Sequence, residues 1–298
     1  MTRHANDTLD PIKKIIGNPV KGLPIQFEWT DAWVPIFDRQ IDLVLGDVAR
    51  ARIEDKVIVY LSCPLSPRGG GYAGTNVEIA KFVENRLQDR FGERFWVLNP
   101  ARYQLESKEG KGLINRHAMD AGWSAAKLEK LKQASPPGGG DYMRMWATVL
   151  ASNEAGGDGP PLGDRFDMYY FLGPQDVSDY FAQGTAENLT ASIESYFARK
   201  LAFDPDFVAQ FGGLATEQPG WEKKRKDFFR FYAVKASVNF SLGSHDEWNI
   251  FRLLNQNRRA LVGGQKTGDQ LGGFFDGRQI DPAATETAVS AGYAIRAD

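Results

Sequence analysis

Residues 167–189, DMYYFLGPQDVSDYFAQGTAENL, carry three carboxyl groups that could act together, those of Asp176, Asp179 and Glu187. Paired carboxyl groups suit the cutting of a glycosidic bond. One attacks the anomeric carbon or stabilises its cationic transition state, and another protonates the leaving group or positions the attacking hydroxyl. The acids follow an apolar aromatic run, Met168 to Leu172, that stops at Gly173-Pro174, so they would line the mouth of a site. The same residues also read as a helix start, with Thr185 as N-cap and acids favoured by the helix dipole. Composition and spacing alone favour this second reading.

A second candidate is the loop SCPLSPRGGGYAGTNVE. Gly70, Gly71, Gly74 and Thr75 precede a helical pattern, and such a loop can turn backbone N–H groups toward a phosphate. It has neither the Gly-Lys-Ser/Thr of a Walker loop nor a GxGxxG pattern. Glu78 is either a catalytic acid or a first-turn acid at the dipole. His245 lies in Ser244-His245-Asp246-Glu247, which reads as a capping box and also as a place for a ligand contact or general acid. Cys63 reads as a small core residue, and Lys223-Lys224-Arg225-Lys226 as a solvated face.

Composition narrows the class. The chain has 298 residues, 36 basic and 38 acidic, for a net charge of −2. That balance gives no electrostatic case for nucleic acid or an anionic membrane. One cysteine excludes an intrachain disulfide, and three scattered histidines offer no metal-ligand spacing. No metal and no organic cofactor is expected. No run approaches the roughly 18 apolar residues of a membrane span. The polar start MTRHANDTLDPIKK lacks the apolar core of a signal peptide. The expectation is a soluble cytoplasmic protein.

The elements that must position these residues follow from pattern. DAWVPIFDRQIDLVLGDVARAR (31–52) is amphipathic and helical. KVIVYLSCPL (56–65) is a continuous apolar run, the mark of a strand buried on both faces. TNVEIAKFVENRLQDRFG (75–92) is a helix stopped by Gly92, and FWVLNPA (95–101) the next strand. DYMRMWATVLA (141–151) is helical and the 168–172 run is a strand. GTAENLTASIESYFARKL (184–201) is helical, and FYAVKASVNFSLG (231–243) reads as the last long strand. Alternating strands and helices predict an α/β fold: a parallel, Rossmann-like (flavodoxin-like) sheet with helices on both faces. It spans 56–260, between an N-terminal arm and helix (1–55) and a C-terminal extension (261–298). Ligands of such sheets bind beyond the carboxyl ends of the strands.

Several motifs together resemble the nucleoside 2-deoxyribosyltransferase-like superfamily. They are Tyr60-Leu61-Ser62-Cys63-Pro64-Leu65, Leu98-Asn99-Pro100, the Asp167 strand, and the acidic segment leading to Gly184-Thr185-Ala186-Glu187. Cys63 stands where the family has a glycine. The resemblance implies that Glu187 is the nucleophile and that Asp176 or Asp179 contacts the base. It also implies that Asp141 matches a further family aspartate and that Tyr60 orients the carboxylate. GGGYAGTNVE is loosely similar to the signature of lysine-decarboxylase-like phosphoribohydrolases, which would move the chemistry to Glu78.

The expectation is an enzyme that cleaves or exchanges the N-glycosidic bond of a nucleoside or nucleotide. Its rival is a nucleotide-sensing module that keeps the pocket without the chemistry. Residues 31–48 offer an apolar surface for a homo-oligomer under either reading.

Overall fold

A computed structural model describes residues 11–154, 159–183, 188–212, 220–238, 241–260, 270–281, 284 and 286–295. Strands β1 (Lys14–Gly17) and β2 (Phe27–Thr30) form an antiparallel ribbon. Then come α1 (Val34–Ile53), β3 (Val57–Ser62), α2 (Ala73–Phe91) and β4 (Phe95–Leu98). They are followed by α3 (Lys108–Asp120), α4 (Ala125–Ala134), α5 (Gly139–Ala151) and β5 (Met168–Phe171). The chain continues through α6 (Pro174–Ala182), α7 (Leu189–Phe203), α8 (Pro205–Phe211) and α9 (Trp221–Lys235). It closes with α10 (Leu242–Ala260), β6 (Gly272–Phe275) and β7 (Arg278–Gln279).

The main sheet has the order β4-β3-β5-β6-β7. Its first four strands are parallel and β7 is antiparallel. This is the flavodoxin-like arrangement expected from the sequence. The first strand, β3, is flanked by β4 on one side and β5 on the other, so the crossovers diverge there. The carboxyl ends of β3 and β5 therefore form the switch point where such sheets open a crevice.

Both faces of the sheet are covered. Ile58 and Tyr60 pack with residues of α1, α5 and α10, and Val59 and Leu61 with residues of α2, α6, α7 and α9. All four are fully buried, which is why VIVYLS reads as an unbroken apolar run. On α1, Ile36, Ile41, Val44, Val48 and Ala51 form the inward stripe. On the second face, Phe181, Phe197, Phe207, Phe211, Phe228 and Tyr232 build an aromatic cluster. Each such side chain contributes about 1.5–3 kcal/mol by leaving water.

Three expected elements differ. Residues 231–235 end a helix, and the segment 231–243 is not a strand: α9 runs to Lys235 and α10 begins at Leu242. Phe228, Tyr232 and Lys235 recur at four and three residues and are buried on one face, whereas the β-branched Val234 and Val238 are exposed. The helical period governs this segment. The fourth parallel strand is instead β6, drawn from the segment read as a C-terminal extension. Asp276 and Gly277 have φ of 53° and 80°, and they turn the chain back into β7.

The second difference is α6, where the acidic stretch after Gly173 read as a loop. Pro174 opens this helix with its fixed φ, and Asp176 accepts from Gly173 N at 3.0 Å. Third, Ser244 does not cap α10. The helix starts at Leu242, and the Ser241 hydroxyl accepts from Ser244 N at 3.3 Å. The Glu247 side chain is thereby free to face the sheet. Helix α2 begins at Ala73, so Thr75 and Asn76 lie inside its first turn. Thr185, the expected cap of α7, lies outside the described residues; Asn188 caps that helix, accepting from Ala191 N at 3.0 Å. Among the described residues, no helix is long and apolar enough to cross a membrane.

Candidate functional site

The carboxyl end of β3 gathers polar side chains from four other elements. The Tyr60 hydroxyl donates to Glu247 Oε1 at 2.8 Å, and the Ser62 hydroxyl donates to Glu247 Oε2. Tyr60 and Ser62 are fully buried and Glu247 is 5 % exposed. Two residues on the same face of one strand thus hold both oxygens of one carboxyl group delivered by the first turns of α10. Burial pushes that carboxyl up to about 7. The Ser62 and Tyr60 hydrogen bonds oppose the rise, and the neighbouring Asp246 adds to it. Burial, then Glu247, pushes the Tyr60 phenol well above its ordinary value. At neutral pH the Glu247 carboxyl can therefore give or take a proton, as a general acid or base must.

Asp246, the preceding residue, is held differently: burial raises its carboxyl, and three backbone hydrogen bonds oppose the rise. It is fully buried, and its carboxylate accepts from Gly292 N at 2.8 Å, Tyr293 N at 2.6 Å and Ala294 N at 3.3 Å. The tail segment is clasped to α10 next to Glu247.

On the other face of β3 lies a second set. Lys235, the last residue of α9, donates from Nζ to Pro64 O at 3.0 Å and to Asn76 Oδ1 at 3.5 Å. Asn76 Nδ2 in turn holds Leu65 O at 3.0 Å and Ser66 O at 3.2 Å. Burial pushes the Lys235 amine down to about 7, with Cys63 acting weakly the other way. The Cys63 thiol approaches Asn99 Oδ1 at 3.8 Å. Burial and then Glu247 raise the thiol, while Lys235 lowers it, so Cys63 lies in the field of both groups. Asn99 Nδ2 donates to Glu84 Oε2 at 2.9 Å, and Arg102 pairs with the same carboxylate.

The residues singled out in the sequence are spread over several places. Tyr60 orients a carboxylate, that of Glu247. Glu187 lies outside the described residues, so nothing places it. Asp176 is 1 % exposed, and its oxygens are engaged by Tyr170 Oη at 2.9 Å, Gly173 N and Arg86. Burial raises this carboxyl even so. Asp179, one turn on, pairs with Arg86 at 3.0 Å at the surface. Asp141 accepts from Thr30 N at 2.7 Å and Gly138 N at 2.8 Å, tying β2 to the start of α5. His245 meets the Ser290 hydroxyl at 3.2 Å.

The glycine-rich loop is packed against α9. A Cβ on Gly70 would lie 2.6 Å from Asp227 Cβ, and one on Gly71 would lie 2.5 Å from the Phe231 ring. The N–H groups of Gly70 and Gly71 turn back to Pro67 O at 3.3 and 3.0 Å. A Cβ on Gly74 would strike the Tyr72 ring at 2.5 Å, so these glycines serve close packing. Thr75 Oγ1 meets Tyr196 Oη at 2.8 Å. Glu78 accepts from Tyr180 at 2.6 Å and Tyr196 at 2.9 Å and pairs with Lys200.

Two open clefts lie beside these clusters. One, of about 450 Å³, is lined by Gln175, Trp248, Phe275, Asp276, Arg278 and Ile280 at the carboxyl end of β6. The other, of about 390 Å³, runs along Glu78, Tyr196, Arg199, Lys200 and Phe203. Neither is lined by Tyr60, Ser62 or Glu247; Trp248, next to Glu247, reaches the first. No group of three or more His, Cys, Asp or Glu side chains among the described residues could hold a metal ion.

No protein-family model, curated protein or solved structure matches the chain. Its chemistry has to be read from the geometry.

The sequence reading missed Glu247, Lys235, Asn76 and Asn99 as partners in one place. For Glu247 a signal was present: SLGSHDE was placed at a strand end, but its acids were read as caps. For Lys235 none was, because the helix carrying it reads as a strand.

Proposed function

We propose that the chain cleaves or exchanges the N-glycosidic bond of a nucleoside or nucleotide. The observation that carries the reading is the Glu247 carboxyl, held by Tyr60 and Ser62 at the carboxyl end of the first parallel strand and poised near neutrality. Loss of a base from a pentose needs a proton delivered to the leaving nitrogen and a carboxylate to meet the charge developing at C1′. Glu247 takes the first role in this reading. Glu187 takes the second, as the resemblance to the deoxyribosyltransferase-like superfamily implies. The flavodoxin-like strand order supports the reading, because it puts the Tyr60-Leu61-Ser62 motif at the switch point.

The test is release of free base, followed by chromatography. The protein is incubated with ribo- and deoxyribonucleosides and their 5′-monophosphates, with and without a second acceptor base. Wild-type protein should release base from one class. Glu247→Gln should lower the rate by about a hundredfold, the usual reach of one acid or base. Glu187→Gln should lower it at least as far, and Glu78→Gln should leave it within a few-fold. Folded wild-type protein that releases nothing from any substrate would sink the proposal.

A further inference from the structure

Glu247 stands near a helix end. It is the sixth residue of α10, and the first turn of a helix lacks the backbone hydrogen bonds of its interior. That turn is lightly braced on its own. Leu242 is 40 % exposed, the Ser241 hydroxyl accepts from Ser244 N at 3.3 Å, and a Cβ on Gly243 would reach only ordinary contact with Met143 Sδ at 3.7 Å.

Residues 287–295 brace it from outside. Gly292 N, Tyr293 N and Ala294 N converge on the Asp246 carboxylate. A Cβ on Gly292 would lie 1.8 Å from Leu242 O, so this strap lies directly on the first turn. A Cβ on Gly139 would lie 2.1 Å from the Tyr293 ring, and Ile295 N donates to Gln26 O at 2.8 Å. The strap thus ties the turn to the start of α5 and to the arm before β2. Attachment alone needs no charge: Asn249 holds Val289 with its uncharged amide, through two bonds of 3.1 Å. At Asp246 the chain instead buries a carboxylate beside a second carboxyl group, which costs stability. Successive helix side chains point about 100° apart. Asp246 therefore meets the strap while Glu247 meets Tyr60 and Ser62, and a rotation of the turn would move both.

Taking Glu247 as the acid of the proposed reaction, we infer that Asp246 is a positioning residue. By gripping the strap it fixes the first turn of α10, and so fixes where the Glu247 carboxyl stands against Tyr60 and Ser62. Catalytic groups have to be held within about 0.5 Å of their working place, and a displacement of about 1 Å can cost about a hundredfold in rate. The Asp246 charge also helps Glu247 to keep its proton.

The test reads the Glu247 titration itself, by carbon NMR of the full chain labelled at its glutamate carboxyls, with the signal assigned by its absence in Glu247→Gln. Tyr60, Cys63 and Tyr169 lie in the field of Glu247, and His245 and Tyr293 flank Asp246. Wild-type Glu247 should titrate near 7. Asp246→Asn removes the charge and one acceptor oxygen, and should lower that midpoint toward the ordinary 4.5. Gly292→Ala keeps the Asp246 charge but displaces the strap. It should lower the midpoint too, because the freed turn lets water reach the carboxyl. A fall in both variants supports positioning. A fall in Asp246→Asn alone is an effect of charge only and overturns the inference, as does a fall in Gly292→Ala alone or in neither. Where circular dichroism shows a variant unfolded, hydrogen exchange on the wild type decides. The amides of residues 292–294 and of the first turns of α10 should then open together at one rate, and independent opening overturns the inference. None of these readouts needs substrate. Midpoints that fall in protein releasing no base would leave the positioning standing and sink only the glycosidic reading. Where base is released, Asp246→Asn should lower kcat about ten- to a hundredfold and leave KM within about twofold.

Discussion

Glu247 and Lys235 load one strand end with opposite titrations. Native Glu247 keeps its proton up to about pH 7, while an unfolded glutamate loses it near 4.5. Between these values the native state binds more protons, so its contribution to stability falls as pH rises, by roughly 3 kcal/mol in all. Native Lys235 loses its proton near 7, while an unfolded lysine holds it to about 10.5. Between those values the unfolded state binds more protons, and stability rises with pH. The two groups together predict a minimum of stability near neutrality. Urea midpoints measured near pH 5, 7 and 9 should fall and then recover. Glu247→Gln should abolish the fall, and Lys235→Met the recovery. A flat wild-type profile would show that neither group is perturbed. Tyr60 and Ser62 were legible as strand residues from their apolar run. Their shared partner was not, because it comes from a helix nearly two hundred residues away in the chain.

At the level of elements, the start of α6 is held from three sides. Asp176 caps it from within, and Arg86 on α2 pairs with that cap. Asp276, from the turn after β6, accepts Gln175 N at 3.0 Å and Asp176 N at 2.9 Å. Arg86 meets two carboxylates of very different exposure, since the Asp176 side chain is 1 % exposed and that of Asp179 is 40 % exposed. Asp176→Ala removes the buried partner of Arg86, which keeps Asp179 and Tyr170, and leaves the buried Gly173 N–H without its acceptor; it should cost about 3 kcal/mol, read from the urea midpoint. Asp179→Ala removes a rim ion pair and should cost under about 1 kcal/mol. Equal losses would contradict this division. The elements most legible in the sequence were those with one clear period: β3 by its unbroken apolar run, α2 by its stripe and Gly92 stop, and α5 by its length. Helix α9 was misread because FFRFYAVK is rich in the aromatic and β-branched residues of strands. Only packing against α7 and α8 shows which of them are buried. The α6 cap was legible in Pro174 and Asp176, which obey the usual N-terminal pattern, but the acids drew attention to chemistry first.

Across the whole molecule, the sheet depends on its last strands. β6 pairs with β5 over Gly272–Phe275, Leu271 N donates to Asn255 Oδ1 at 2.8 Å, and the following turn supplies Asp276 to α6. A chain cut after residue 260 should lose a cooperative thermal transition by circular dichroism, because β5 would be left with an unpaired edge and α6 without Asp276. A truncated chain that melts cooperatively would show that β6 is dispensable. The Asp-Gly turn between β6 and β7 was the one local sign of this hairpin. It was lost in a segment whose weak periodicity suggested an appendage.

The clasp of residues 292–294 on Asp246, and the bridge from Ile295 to Gln26, bear on how the chain is made. A ribosome delivers residues in order, and the arm holding Gln26 emerges early while its partner comes more than two hundred and sixty residues later. The carboxylate beside Glu247 lacks its three backbone donors until residues 292–294 have been made. The crevice therefore cannot take its final shape on a nascent chain, and any chemistry it performs begins only after synthesis has passed residue 294.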